Sequence, residues 1–243
     1  MARFESKIIG IDLGTTNTLV SYYDEIAKRG ECCTSREGGS LTPSAVFFEN
    51  ADSYIVGRDA KDSAILYPDR TALYFKRLMG ETKEAIDIGG TVYSPQQLSA
   101  FVLKKVVEDA NDELEEEIKD VVITVPAYFT SAAKQATKEA GIIAGLNVRD
   151  IIDEPCAALY HIDSINDLSG KTVMIFDLGG GTLDLIAAEV KDNVINEIAI
   201  GGDTELGGKD WDKMLQQYIR DRYLDGKTLR PDDEQDFGHD VEY

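Results

Sequence analysis

Long hydrophobic runs are missing from these 243 residues. No stretch approaches the roughly 20 apolar residues that a membrane-spanning helix needs, so a helical membrane protein is not expected. The opening residues, Met1-Ala2-Arg3-Phe4-Glu5-Ser6-Lys7, show neither the apolar stretch nor the cleavage site of a signal peptide. Cysteine is scarce. Cys32, Cys33 and Cys156 form an odd set with two members adjacent, which does not make a disulfide framework. They read as small apolar residues kept reduced in a cytoplasmic setting. His161 and His239 are too few and too isolated for a metal site. Basic charge is in deficit: 25 Lys and Arg face 45 Asp and Glu, a net charge of −20. A general nucleic-acid binder carries a basic footprint, so that class is set aside, and the charge favours solubility. The densest acidic runs, 112–117 and 232–236, read as a solvated helix face and a polar tail.

What is present is apolar material for a real core, 43% of the residues, in one or two domains. One stretch organises the chain. The apolar run Thr172 to Phe176 ends in Asp177; Gly179, Gly180, Gly181 and Thr182 follow, then Asp184. A buried strand leading into glycines lets backbone N–H groups come close to an anion, typically phosphate. The plainer reading is a hairpin turn or bulge. Two aspartates would repel a bare phosphate, but Mg²⁺ is held by a few carboxylates, waters and phosphates, so the stretch suggests a Mg²⁺–nucleotide site. A second copy strengthens this reading. The strand candidate Lys7 to Leu13 runs into Asp12-Leu13-Gly14-Thr15-Thr16-Asn17-Thr18, and another strand candidate, Leu19 to Tyr23, follows. The spacing of the copies far exceeds the repeat of a solenoid, about 20–50 residues. Two similar domains, each offering one strand–turn–strand to a shared ligand, account for it.

Between the copies the pattern alternates. Short strands are expected at 44–48 and 54–56. The segment 71–78 fits a short helix or an extended loop. A helix is expected from Pro95 to about Leu114, with Leu98, Val102, Val106 and Ala110 on one face. Strand Val121 to Val125, a helix carrying Ala132, Ala133, Ala136, Ala140 and Ile143, and a short strand at Ile151-Ile152 make a βαβ unit and call for parallel pairing. Cys156 to Tyr160 is read as a helix after Glu154-Pro155. Strands at 183–189 and 194–200 complete a meander. An amphipathic helix then opens at 207–210, with Trp211, Leu215, Tyr218, Ile219 and Tyr223 on its apolar face.

Five segments in this order and approximate spacing resemble the seventy-kilodalton heat-shock chaperones of the DnaK type. They are Ile11 to Asn17, Val122 to Phe129 (Val-Ile-Thr-Val-Pro-Ala-Tyr-Phe), Asp153 to Ala158 (Asp-Glu-Pro-Cys-Ala-Ala), Phe176 to Thr182, and Gly201 to Gly208. The resemblance runs to about Tyr223. It implies an α/β chain of the actin-like ATPase (ribonuclease H-like) fold, mixed sheets with flanking helices, and ATP or ADP with Mg²⁺ between two lobes. Residues 1–170 would be the first lobe, with a small insertion at about 40–95. Residues 171–224 would begin the second, which is expected to be incomplete, and 225–243 would be a polar tail or truncated continuation. The family's adenine-gripping segment and peptide-binding domain find no match.

By the same resemblance, Asp12 and Asp177 hold Mg²⁺ through water. Gly14, Thr15, Thr16, Asn17, Gly179, Gly180, Gly181, Thr182, Gly201 and Gly202 bind the nucleotide; the family often has an aromatic residue at Asn17. Lys76 orients the attacking water and offsets developing charge; Glu154 orients water or metal; Thr182 lies near the γ-phosphate. Asp184 is a further water-positioning candidate. Read as residues alone, Lys76 is a solvated lysine, Glu154 a favourable charge at a helix start, and Asp184 a solvated strand residue. Pro126 and Lys134 fall where the family relays nucleotide state to a peptide-binding domain, with Lys in place of Arg. Asp150 reverses the charge used towards J-domain partners. The implied activity is ATP hydrolysis coupled to binding of unfolded polypeptides, with a J-domain co-chaperone and a nucleotide-exchange factor as partners and no nucleic acid or membrane. A small-molecule kinase or filament protein of the same superfamily, or a non-catalytic module on the fold, are the alternatives. An incomplete second lobe further predicts an exposed apolar face on 172–200, weak or no nucleotide binding, and weak or no ATPase activity from these residues alone. Calorimetry with MgATP is expected to show no micromolar affinity; a micromolar isotherm would contradict the incomplete cleft.

Overall fold

In the computed structural model, which describes residues 7–50, 53–81, 85–191 and 194–224, the chain opens on a hairpin. β1 (Ile8–Leu13) and β2 (Asn17–Asp24) pair antiparallel, Gly10 opposite Ser21 and Leu13 opposite Thr18. Alternation assigns the faces: Ile9, Ile11 and Leu13 are buried in the core. β3 (Arg29–Cys32), which no hydrophobic pattern announces, pairs with β2, as does the short β4 (Thr42–Pro43). All three cysteines are free thiols, but Cys32 is exposed and does not serve as apolar filling, whereas Cys33 and Cys156 are buried.

The following segment forms a small sheet of its own. β5 (Val46–Asn50), β6 (Ser53–Val56) and β7 (Thr71–Ala72) lie in the order β6-β5-β7, with α1 (Arg58–Ser63) packed alongside. The open choice at 71–78 resolves into two pieces. β7 stops, Tyr74 adopts a left-handed backbone at φ 58°, and a 3-10 turn covers Phe75–Leu78. β8 (Ile86–Ile88) and β9 (Thr91–Tyr93) make a further hairpin.

α2 (Pro95–Leu114) takes the expected span. Its start is a capping box: the Gln97 amide N–H donates to the Ser94 hydroxyl, and the Gln97 side chain accepts from the Ser94 amide. Leu98, Val102, Val106 and Ala110 are buried. β10 (Asp120–Val125), α3 (Ser131–Ile143) and β11 (Asn147–Asp153) form the βαβ unit, with β10 parallel to both β1 and β11. β11 is longer than the expected Ile151-Ile152 because it pairs along the whole of β10. The main sheet therefore runs β11-β10-β1-β2-β3. α4 (Glu154–Asn166) likewise extends beyond its expected five residues. β12 (Thr172–Leu178), β13 (Leu183–Lys191) and β14 (Val194–Asp203) form the antiparallel meander, and α5 (Gly208–Leu224) follows. The acidic run at 232–236, His239 and the expected polar tail lie outside the described residues.

One large cluster joins β1, β2, β5, α2, β10 and α3 through Ile9, Val20, Val46, Leu98, Ile123 and Ala136. A smaller cluster packs Cys156 and Leu159 of α4 on Ile186, Ala188 and Val190 of β13. The opposite face of the meander is open: Met174 is 69% and Phe176 62% exposed. The apolar stripe of α5 is also uncovered, Trp211, Leu215, Tyr218, Ile219 and Tyr223 all being exposed.

Leu98 sits at the centre of the large cluster with no exposed surface. Leu98→Ala is expected to destabilise the fold by about 2–5 kcal/mol, from lost burial and the cavity left behind. Chemical denaturation should show a lower midpoint.

Candidate functional site

Three adjacent parallel strands, β11, β10 and β1, deliver their carboxyl ends to one edge, where ligands of open α/β sheets collect. Asp12 stands one residue from the end of β1. Its in-register neighbour on β10 is Thr124, whose hydroxyl donates to Asp12 Oδ1 at 2.8 Å. β11 ends at Asp153, and Glu154 is the first residue of α4. The 3-10 turn at 75–78 brings Lys76 across to this edge. Lys76 Nζ donates to Glu154 Oε1 at 2.6 Å, with the two side chains 4% and 15% exposed. The ammonium also lies 5.7 Å from the centroid of the Phe129 ring. The reading of Lys76 as a solvated lysine is thus overturned, and Glu154 does more than favour a helix dipole.

The second hairpin supplies two more carboxylates. Asp177 and Asp184 face each other across β12 and β13, and the Gly179 N–H donates to the Thr182 carbonyl at 2.9 Å to close the turn. Asp184 is buried and accepts from the Tyr128 amide at 3.3 Å and from the Thr182 side chain. The reading of Asp184 as a solvated strand residue is overturned as well.

These groups sense one another. Burial pushes the Glu154 carboxyl up to about 7; the Lys76 ammonium opposes this, while Asp12 and Asp184 add to it. Asp177 is raised by burial and then by Asp184 and Asp12. Asp184 is raised by burial against its hydrogen bonds from Tyr128 and Thr182. Four carboxylates thus share one ammonium, and an added cation would relieve their repulsion. Among the described residues no three His, Cys, Asp or Glu side chains converge as direct ligands. Carboxylate oxygens are the donor type that a hard cation such as Mg²⁺ takes, with waters completing its shell.

The two turns meet. A Cβ on Gly180 would collide with the Thr16 side chain, and one on Gly181 with that of Thr15. Neither glycine has a left-handed backbone, so close approach rather than turn geometry requires them. The 14–16 turn is braced by Ser44, whose hydroxyl donates to the Gly14 carbonyl at 2.8 Å and whose amide donates to that of Thr16 at 2.9 Å. Thr15 and Thr182 are buried at the contact, while Asn17 is exposed at the start of β2. Gly201 and Gly202 lie apart from it, on β14 opposite Leu185 and Asp184.

Several members of the site escape a reading of single residues. Thr124 and the Tyr128 amide both lie in the segment 122–129, and the alternation along β10 is the signal that puts Thr124 beside Asp12. Arg77 forms a two-pronged ion pair with Asp210, Nη1 to Oδ1 at 3.1 Å, and Asp210 Oδ2 also accepts from the Gly207 amide at 2.9 Å. The Gly208 and Lys209 amides donate to the carbonyls of Gly179 and Gly180. The start of α5 is pinned both to the glycine turn and to the turn carrying Lys76. Lys134 pairs with Asp153 at 2.6 Å. Asp150 and His161 are exposed.

A family model described as Hsp70 protein matches residues 8–88 and 81–236. No helix among the described residues is long and apolar enough to cross a membrane.

The raised Glu154 carboxyl has a consequence for stability. Its folded value, about 7, lies above the ordinary 4.5, so between those values the folded state holds more protons than the unfolded one. Stability then falls as pH rises through this window and levels off above it. Glu154→Gln mimics the protonated carboxyl and keeps an oxygen that accepts from Lys76, so it is expected to remove this slope and to hold its stability as pH rises. Urea denaturation between about pH 5 and 7.5 should show wild type losing roughly 2 kcal/mol more than the variant across the window.

Proposed function

The chain belongs to the Hsp70 family, and on that basis we propose that its two hairpin turns clamp the phosphates of a Mg²⁺–nucleotide and position water for ATP hydrolysis. The observation that carries this reading is the buried Lys76–Glu154 pair among the charges of Asp12, Asp177 and Asp184, which the two mutually contacting hairpins carry. On this reading Asp12 and Asp177 hold Mg²⁺ through its water shell. Mg²⁺, when bound, neutralises charge developing on the phosphate oxygens. Gly14, Thr15 and Thr16 on one turn, and Gly179, Gly180, Gly181 and Thr182 on the other, offer amides and hydroxyls to phosphate. Asn17, at the exposed margin, and Gly201 and Gly202, behind Asp184, contribute at the periphery.

Phosphoryl transfer needs positioning and electrostatic stabilisation more than covalent help. Lys76 Nζ, held by Glu154 Oε1, offsets charge on the transferred group. Glu154, with its carboxyl near neutrality, accepts a proton or a hydrogen bond from water at its free oxygen. Asp184, held by the Tyr128 amide, orients water from the other hairpin. We further propose that residues 1–170 and 171–224 act as parts of two lobes, with Arg77–Asp210 tying them together. Pro126 and the Lys134–Asp153 pair relay nucleotide state outwards. Unfolded polypeptides, a J-domain co-chaperone, an exchange factor and a cytoplasmic location complete the proposal.

The test is turnover at millimolar MgATP. Lys76→Met keeps the apolar stem and removes the charge. It is expected to lower kcat about 100-fold, in the range of losing one preorganised donor, with nucleotide affinity little changed. No turnover in wild type, or equal turnover in the variant, would overturn the reading.

A further inference from the structure

We infer that Thr124 is the positioning residue that aims Asp12 at the hydrated cation. The inference rests on the clamp proposed above. Thr124 and Asp12 are direct neighbours on parallel strands. Val121, Ile123 and Val125 of β10 are buried in the core, so alternation turns Thr124 to the opposite face, towards Asp12. A threonine with no further duty there would satisfy its hydroxyl with water or its own backbone. Instead the hydroxyl reaches Asp12 Oδ1 at 2.8 Å.

The geometry leaves Asp12 dependent on this contact. Among the described residues Thr124 supplies the one hydrogen bond that the Asp12 side chain accepts. The Lys76 ammonium is engaged by Glu154. Glu154 and Asp177 both feel the Asp12 charge as repulsion. An untethered Asp12 carboxylate would rotate away from them. An ionised carboxylate only accepts, so the Thr124 proton goes to Oδ1 and leaves Oδ2 for the water shell. The β-branched side chain narrows the rotamers that could deliver the proton elsewhere. Outer groups of this kind, which hold a ligand without touching the metal, commonly change metal affinity by about 10–100-fold when removed.

The experiment measures cation binding rather than turnover. Mn²⁺, as a spin-bearing substitute for Mg²⁺, is titrated into the full chain with excess ADP and read by electron paramagnetic resonance; ADP binding without metal is measured in parallel. Four chains are compared: wild type, Asp12→Asn, Thr124→Val and Thr124→Ser. Val is isosteric with Thr and keeps the strand; Ser keeps the donor. Thr124→Val is expected to weaken Mn²⁺ binding about tenfold, approaching Asp12→Asn, with metal-free ADP binding and melting temperature unchanged. Thr124→Ser should stay within about threefold of wild type, because the donor remains. Wild-type affinity in Thr124→Val overturns the inference, and so does Thr124→Ser as weak as Thr124→Val, since the hydroxyl would then not be the operative group. A metal-free ADP defect equal to the metal-dependent one assigns Thr124 a structural role and overturns it too. Should Thr124→Val not fold, Thr124→Ala against Thr124→Ser makes the same comparison. Absence of any ADP-dependent Mn²⁺ binding in wild type overturns the clamp itself, and the positioning role with it.

Discussion

A lysine ammonium buried against a glutamate, with three aspartates close by, is an arrangement that water would disperse. Lys76 and Glu154 hold a 2.6 Å contact with little solvent access, and removing charge from water costs several kcal/mol per ion unless geometry compensates. The surrounding scaffold keeps them together. Glu154 is fixed by the end of β11 and the first turn of α4. Lys76 is fixed by a 3-10 turn whose buried Phe75 locks it into the large core. Asp184 is fixed by the β13 ladder and the Tyr128 amide. Burial is the main upward pressure on the Glu154, Asp177 and Asp184 carboxyls, and neighbouring carboxylates add to it for Glu154 and Asp177.

The same constraint explains where glycine is used. Gly180 and Gly181 face Thr16 and Thr15 without room for a side chain. Gly207 packs just as closely on the Gly180–Gly181 backbone. Each contact brings one hairpin, or the start of α5, within reach of the charged cluster. The Arg77–Asp210 pair carries the coupling back to the turn that holds Lys76. Two open surfaces accompany this tight centre, on the meander and on α5, and neither is covered by a described residue.

Much of the fold was legible because its signals are local. A helical period and a proline at the helix start set the span of α2, and the Ser94 cap seen in the structure agrees with that start. The βαβ unit at 120–153 follows from one apolar run, one alanine-rich helix and a second short apolar run. β3 was not legible: Arg29-Gly30-Glu31-Cys32 has no apolar alternation, and it is a strand because β2 offers a free edge. The 71–78 segment stayed ambiguous because its outcome depends on the left-handed Tyr74 and on burial of Phe75 in a distant core. The apolar stripe of α5 was read correctly as a face, but a stripe in sequence does not say whether anything packs on it.

The two Asp-Leu-Gly turns, the strands that carry them and the parallel unit between them were readable from residue pattern. Those features depend on neighbours within a few residues, where pattern is enough. The burial of Lys76 and Asp184, the pairing of Glu154 with Lys76 and the hydrogen bond from Thr124 to Asp12 came from the three-dimensional packing. That packing also decided that glycines 180 and 181 are needed for contact between hairpins rather than for a turn. These are properties of groups far apart in the chain. Their burial and charge depend on which strand ends the sheet register brings side by side, and that information is absent from any short stretch of residues.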